Sequence, residues 1–306
     1  EKPVERATLL PDGEQGFSRT LPGSLPSRAA DNLFWLGRYM ERAEGTLRIL
    51  RAWHARLAEV DDPEVPLLAH ARDYLETIDI DLSRAIPDGL AQNVEAAVGS
   101  AGHIRDRFSV DGWLALNDLA KTVRQFRSRV VEGDDATRAA TVLLRKVAGF
   151  AGLLHENMYR FTGWRFLVIG RSLERAQHMT RLLAHMTAEG APDGAEDMLL
   201  EIGDSVMTHR RRYSVATQRL TVIDLLALDR LNPRSVLYLL DEIRQQTELL
   251  PGALVNGQMS PLMRDVLRAQ TSLALETAET VTQEGLERLA AQLAELSNRY
   301  TTTYLA

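Results

Sequence analysis

The chain has 306 residues and a mass of 34.2 kDa, which is enough for one large domain or two average ones. Its 36 Lys and Arg residues against 42 Asp and Glu residues give a net charge of -6, which argues against a nucleic-acid-binding protein. The absence of cysteine excludes disulfides, thiolate metal sites and a cysteine nucleophile, and it fits a cytoplasmic location. The apolar runs are too short to cross a membrane, so no membrane association is predicted.

The first 26 residues differ in composition from the rest of the chain. Residues 1–26 hold four prolines and three glycines without a helical period, which predicts a linker or an extended arm. The chain begins with Glu1 rather than Met, so we expect a processed chain or a domain cut from a longer one. Helices are predicted after Pro26, with Ser27 as the N-cap of the first helix.

Beyond Pro26 apolar residues recur with the helical spacing of about 3.6 residues, and prolines and glycines separate the periodic segments. Ser109 is a predicted helix cap, and Asn232-Pro233 is predicted to open a later helix. The predicted helices are 28–58, 65–82, 90–106, 110–132, 135–160, 163–188, 195–217, 219–229, 233–249, 261–277 and 281–303. No segment shows convincing strand alternation, so the predicted fold class is all-α, a multi-helix bundle of about ten helices.

An internal similarity divides the chain into two halves. The segment 33–43 matches the segment 166–176 at a constant offset of 133 residues. The similarity continues at the same offset, with residues 48–50 aligned to residues 181–183. Each copy contains the pattern Gly-Arg-x-x-Glu-Arg-Ala. This predicts a duplication with pseudo-repeats at about 27–160 and 161–306, each opening with a long helix. The alternative is that one helical packing pattern arose twice.

The repeated helix is predicted to carry charged residues among apolar neighbours. Arg38, Glu41 and Arg42 share a helix with apolar residues on more than one side, which is typical of an internal helix. A buried ion without a partner is costly, so each charge needs a counterion. Arg38 is predicted to pair locally with Glu41, leaving Arg42 for Glu174 of the second copy, with Arg175 and Glu41 reciprocating.

Two interpretations of these charges stay open at the level of sequence. One is a central Glu–Arg network that locks the two halves together. The other is an arginine-lined pocket for a carboxylate or phosphate, since guanidinium binds such groups through two parallel hydrogen bonds. A third, weaker interpretation is a solvated helix face.

Several motifs resemble a known family. The segment 27–44, with Gly37-Arg38 and Glu41-Arg42, resembles the opening of the bacterial alpha-E family, which is named for its helical content and its Glu-Arg motif. The segment 163–176 resembles a second signature of that family, Asn232-Pro233-Arg234 a third and the segment 113–117 a fourth. The similarity extends from about Ser27 to the C-terminus and implies one helical domain over 27–306.

The resemblance implies which proteins this domain works with, but it does not imply a reaction for the domain itself. Alpha-E domains are encoded beside, or fused after, a circularly permuted ATP-grasp domain similar to carboxylate–amine ligases, and transglutaminase-like proteins often accompany them. The arm at 1–26 would then link this domain to an upstream ATP-grasp region. ATP and Mg²⁺ are expected only on that ligase, and no cofactor or metal is expected on this chain.

The first functional hypothesis is an accessory or substrate-binding domain for such a peptide ligase, with an arginine- and glutamate-lined pocket for an anionic or amino-acid-like ligand. The candidate ligand-binding residues are Arg38, Glu41, Arg42, Arg171, Glu174, Arg175, Arg160, Trp164 and Arg234. The first alternative is an enzyme in its own right that uses Glu41 or Glu174 as a general acid or base, although nearby arginines oppose the raised pKa that this requires. The second alternative is a purely structural interaction domain with a Glu–Arg core.

Overall fold

A computed structural model describes residues 25–305, and within that range the chain is predominantly helical. The predicted arm at 1–26 lies outside the described residues except for its last two positions. The described part contains α1 Ser27–Val60, α2 Pro66–Thr77, α3 Asp88–Gly102, α4 Val110–Arg127, α5 Asp134–Asn157, α6 Thr162–Met186, α7 Ala195–Ile202, α8 Val206–Arg212, α9 Arg219–Ile223, α10 Val236–Glu248, α11 Pro261–Ala274 and α12 Gln283–Tyr300.

Short elements complete the architecture. A 3₁₀ turn forms at Arg105–Arg107, and π-helical turns extend α9 and α12 at Asp224–Leu228 and Thr301–Leu305. Two strands of two residues each, β1 Leu254–Val255 and β2 Gln258–Met259, pair antiparallel. The all-α prediction is therefore confirmed. No helix within residues 25–305 is long and apolar enough to span a membrane.

Two local features differ from the prediction. The predicted helix at 195–217 is broken into α7 and α8, because Asp204 adopts a left-handed backbone with φ of 51° and the Ser205 N–H turns back to the Leu200 carbonyl. The small hairpin was also missed. Its turn is Asn256-Gly257, with φ of 52° and 78°, and Asn-Gly is the residue pair that two-residue hairpin turns favour.

Some helices begin at a capping side chain, and the predicted helix starts need correction at two positions. Ser109 accepts a hydrogen bond from the Gly112 N–H, as predicted. Ser27 is not a cap, because it is already the first residue of α1 and follows Pro26. Asn232-Pro233 does not open α10 either. Ser235 caps that helix by accepting from the Tyr238 N–H, and the preceding residues form a separate turn.

The centre of the fold is the packing of α1 against α6, and α3, α5, α10 and α12 surround this pair. Both central helices are buried over most of their length, as their all-round apolar pattern predicts. Large buried side chains fill the space around them, including Phe34, Phe150, Tyr74 and Tyr300.

Two glycines set the distance between the central helices. A Cβ at Gly37 would lie 2.5 Å from the Leu167 carbonyl oxygen, and a Cβ at Gly170 would lie 2.2 Å from the Phe34 carbonyl oxygen. The two contacts are equivalent, because Gly37 corresponds to Gly170 and Phe34 corresponds to Leu167 at the offset of 133 residues. The central helices therefore meet with local two-fold pseudo-symmetry. The duplication itself stays a prediction.

We expect Gly170→Ala to destabilise the fold, because the new methyl group collides with backbone and forces α1 away from α6. Overpacking of this kind costs about 1–3 kcal/mol. Gly149→Ala is the matched control, since Gly149 is an exposed glycine of α5 with no packing neighbour within 4 Å of the place that a Cβ would take. There alanine should stabilise by about 0.5–1 kcal/mol. Chemical denaturation of both variants measures the difference, and equal stabilities would contradict the close approach.

Candidate functional site

Glu174 of α6 lies at the centre of one ionic cluster between the central helices. Its Oε1 accepts from Arg42 Nε at 2.8 Å, while its Oε2 accepts from Arg38 Nε at 2.5 Å and from Arg42 Nη2 at 3.1 Å. The Arg38 guanidinium also donates to Ser297 Oγ at 2.5 Å and to Gln177 Oε1 at 3.2 Å. The predicted pair of Arg42 with Glu174 is therefore confirmed.

The predicted local pair of Arg38 with Glu41 is wrong. Arg38 reaches across to Glu174, because α6 packs directly on this face of α1 and offers its carboxylate there. Glu41 lies instead at the other cluster, where Arg175 donates through Nε to Oε1 and through Nη2 to Oε2, the latter at 2.8 Å. This second inter-helix pair was predicted and is confirmed. Arg171 approaches the same carboxylate at 3.5 Å.

Glu44 completes the second cluster. Its Oε1 accepts from Arg48 Nε at 2.9 Å and from Arg234 Nη2 at 2.5 Å, and Arg175 lies 3.5 Å from its Oε2. Sequence reasoning missed Glu44, although it lies one turn before Arg48 and the i, i+4 spacing of a glutamate and an arginine was the available signal.

A remote turn delivers Arg234 to this cluster. Asn232 Oδ1 accepts from the Arg234 N–H at 3.0 Å, while its Nδ2 donates to the Leu225 carbonyl at 3.0 Å and to Ser205 Oγ at 3.1 Å. The Asn232 side chain therefore holds the turn both internally and against the preceding segments of the chain. Arg234 of this turn reaches Glu44. Arg234, one of the candidate ligand-binding residues, therefore already has an internal carboxylate partner.

Glu174 and Glu44 are ionised at neutral pH. Burial raises the pKa of Glu174, but Arg38 and Arg42 outweigh it and hold the pKa below its usual value. Burial also raises the pKa of Glu44, and Arg234, Arg175 and Arg48 outweigh it in the same way. Because these carboxylates are held by guanidinium groups, the arrangement suits charge pairing better than proton donation.

The two clusters differ in access to solvent. Beside Glu174 lies a cleft of about 290 Å³ lined by Arg38, Arg42, Gln177, His178, Arg181 and the turn 77–80. The void beside Glu41 and Glu44 has only about 10 Å³, room for about one water molecule, and apolar side chains such as Met40 and Phe150 form most of its lining. The structure therefore brings Arg38, Arg42 and Glu174 to an open cleft. It places Glu41, Arg175 and Arg234 in a closed network.

A single difference between the halves explains why the cleft has unbalanced positive charge. Glu44 and Arg48 correspond to Gln177 and Arg181 at the offset of 133. In the first half the glutamate neutralises the arginine, but Gln177 is uncharged. Arg181 is exposed, and within residues 25–305 no carboxylate lies within 4 Å of it. Sequence reasoning missed Arg181 as a site residue, although the glutamate-to-glutamine difference was visible in the alignment of the halves.

His178 forms part of the cleft wall as a neutral side chain. Burial lowers its pKa to about 4. Its Nδ1 lies 3.2 Å from the Tyr74 hydroxyl, and a Cβ at Gly45 would lie 2.9 Å from its Nε2. Gly45 is the counterpart of His178 in the first half, so the two residues meet at the pseudo-axis. Only one of them has space for a side chain there.

Two of the predicted ligand residues lie elsewhere. The Arg160 guanidinium stacks on the Trp164 ring at 3.7 Å and donates to the His155 carbonyl in the last turn of α5. Neither residue lines the cleft beside Glu174. Both residues therefore lie apart from Arg38, Arg42 and Glu174.

We expect Glu41→Gln to destabilise the protein strongly, because it leaves Arg175 buried without its bidentate partner. Breaking a buried ion pair in this way costs about 3–5 kcal/mol. Glu95→Gln makes the same chemical change in an exposed pair with Arg124 and should cost less than about 1 kcal/mol. The free energies of unfolding of the two variants provide the comparison. Similar values would show that the buried network contributes little to stability.

Comparison with known proteins places this geometry in a family. Residues 25–305 match the Alpha-E family, which is described as a predicted alpha-helical domain with a conserved ER motif. The chain is also similar to proteins of Mycobacterium bovis and of two strains of Mycobacterium tuberculosis that are named as uncharacterized. Each is 28% identical over 348 aligned positions, which cover 96% of this chain and 38% of the relative.

The chain thus spans less than half the length of these curated relatives. No solved structure matches it. The Glu-Arg dipeptides of the two central helices, Glu41-Arg42 of α1 and Glu174-Arg175 of α6, are the residues that exchange ion pairs between these helices. On the match over residues 25–305, the chain belongs to the Alpha-E family.

Proposed function

We propose that this domain is a binding domain whose cleft beside Glu174 takes a small ligand with a carboxylate group. The observation that carries the proposal is Arg181, an exposed guanidinium on the cleft wall without a carboxylate partner among the described residues. Arg42 lies on the same wall and is about two-fifths exposed, so its outer edge faces the cleft as well. Two guanidinium groups on one wall favour a carboxylate, which each can bind through two hydrogen bonds.

Binding is favoured over catalysis by the state of the glutamates. A general acid or base needs a pKa near the working pH and a free oxygen toward the substrate. Both oxygens of Glu174 accept hydrogen bonds from arginines, and its pKa is held low. Glu41 is enclosed in the closed cluster and has no access to the cleft. Neither residue offers the features of a proton-transfer group.

A structural role is the second candidate function, and it applies to the ionic cluster around Glu41 and Glu44. Glu41, Glu44, Arg175 and Arg234 join three separate parts of the chain, and the void beside Glu41 and Glu44 is too small for a ligand. In our proposal this closed cluster holds α1, α6 and the turn before α10 in place. The cleft is then a rigid surface on a preorganised scaffold.

We further propose that the ligand belongs to the reaction of an ATP-grasp carboxylate–amine ligase, which would supply ATP and Mg²⁺ on its own domain. The resemblance of the motifs supports this association, and the relatives provide room for a further domain because they are much longer than this chain. A carboxylate or an amino acid is the class of substrate that such a ligase joins. A transglutaminase-like protein is a further proposed partner.

Arg181→Gln tests the carboxylate site directly, with glutarate as the probe. We expect at least about a tenfold loss of affinity, because hydrogen bonds to charged groups contribute about 1.5–3 kcal/mol. The fold should be unchanged, since Arg181 is exposed and makes no ion pair in the part of the chain that the structure describes. Arg129→Gln removes another exposed arginine outside the cleft and serves as control. Isothermal titration calorimetry gives the affinities, and equal binding by both variants would overturn the proposal.

Gln177→Glu tests the same site from the opposite direction. It recreates in the second half the carboxylate that Glu44 provides in the first half, so the cleft receives an internal counterion for Arg38 and Arg181. We expect glutarate affinity to fall about tenfold or more while stability is retained. Loss of binding together with a retained melting temperature separates occupation of the site from unfolding. Undiminished binding would show that the cleft is not the carboxylate site.

A further inference from the structure

We propose that the ligand of this cleft is a free acidic α-amino acid, and that Asp79 recognises its ammonium group. The inference rests on the proposed carboxylate site and adds the identity of the second recognition element. Asp79 lies on the turn that follows α2, so it belongs to a different wall of the cleft from the arginines of α1 and α6.

The placement of Asp79 leaves its carboxylate available. Its backbone is left-handed, with φ of 58°, and its N–H donates to the Glu76 carbonyl at 3.1 Å, which closes the turn. The side chain is exposed, and within residues 25–305 no arginine or lysine lies within 4 Å of its oxygens. An aspartate that shares a cleft with three arginines but pairs with none of them is separated from them by the open space of the cleft.

The charges on the two walls specify the charge of the occupant. Arg38, Arg42 and Arg181 carry three positive charges, and Glu174 and Asp79 carry two negative charges, while His178 is neutral because its pKa is about 4. The cleft therefore has a net charge of about +1, with positive charge on one wall and a carboxylate on the other. An acidic amino acid matches this pattern, because it has two carboxylates, one ammonium group and a net charge of -1.

The volume of the cleft and the negative charge of Asp79 narrow the class of ligand further. The volume of about 290 Å³ is at the lower limit of clefts that hold drug-sized molecules, so it fits a single amino acid better than a nucleotide or a long peptide. A purely anionic ligand such as phosphate or a dicarboxylate would meet Asp79 without a compensating cation. Asp79 thus selects against such ligands, as a like charge near a site does. The glutamates of the network cannot take this role, because arginines already neutralise them.

The test compares L-glutamate with glutarate, which lacks only the ammonium group. For the unmodified protein we expect L-glutamate to bind about tenfold or more tightly than glutarate, as expected for one charge-assisted hydrogen bond. In Asp79→Asn the preference should disappear, with weaker binding of L-glutamate and stronger binding of glutarate. Asparagine tolerates the left-handed backbone, so the turn should be retained, and an unchanged melting temperature checks this. Asp73→Asn removes an exposed aspartate of α2 outside the cleft and is the control.

The outcomes separate this inference from the proposed function. If L-glutamate and glutarate bind the unmodified protein equally, or if Asp79→Asn retains the preference, the ammonium site is wrong and the carboxylate site stands. If both ligands bind and Arg181→Gln leaves their affinities unchanged, the carboxylate site is wrong. If neither ligand binds the unmodified protein, both assignments are overturned.

Discussion

The fold depends on the burial of guanidinium–carboxylate pairs between α1 and α6. Taking such ions out of water costs several kcal/mol each, and only close pairing with good geometry offsets that cost. Gly37 and Gly170 allow the helix backbones to approach until a carbonyl oxygen lies where a methyl group would otherwise be. At that distance an arginine on one helix reaches a glutamate on the other, and the reciprocal pair forms on the opposite side of the pseudo-axis.

The two ends of the interface between α1 and α6 contain equivalent ion pairs, but different parts of the chain pack against them. At one end the turn before α10 and the i, i+4 pair of Glu44 with Arg48 close the network. At the other end Gln177 replaces the glutamate, and the turn after α2 forms the far wall of an open cleft. A nearly symmetric scaffold thus gains an asymmetric surface through one uncharged side chain. The surplus positive charge is located where a ligand has access.

Regions distant in sequence supply the remaining contacts. Arg234 comes from the turn before α10 and Ser297 from α12, and each hydrogen-bonds a charged residue of α1. Asp79 comes from the turn after α2. Arg234 and Asp79 lie in turns, whose side chains have no periodicity, and Ser297 is a single polar residue of another helix. No sequence pattern therefore links these residues to the Gly-Arg-x-x-Glu-Arg-Ala helices. Their roles depend on where the chain returns in space.

The sequence by itself determined the helical class, most helix positions and the two inter-helix pairs of Arg42 with Glu174 and of Arg175 with Glu41. Helical periodicity and the constant offset of 133 residues are local or repeated signals, so they survive without coordinates. Tertiary structure alone decided that Arg38 turns to Glu174, that Arg160 and Trp164 lie away from the cleft, and that only one end of the network is beside a cleft large enough for a ligand. A charge pattern states which residues need partners. Packing decides which partner lies within reach and which charge stays exposed to solvent.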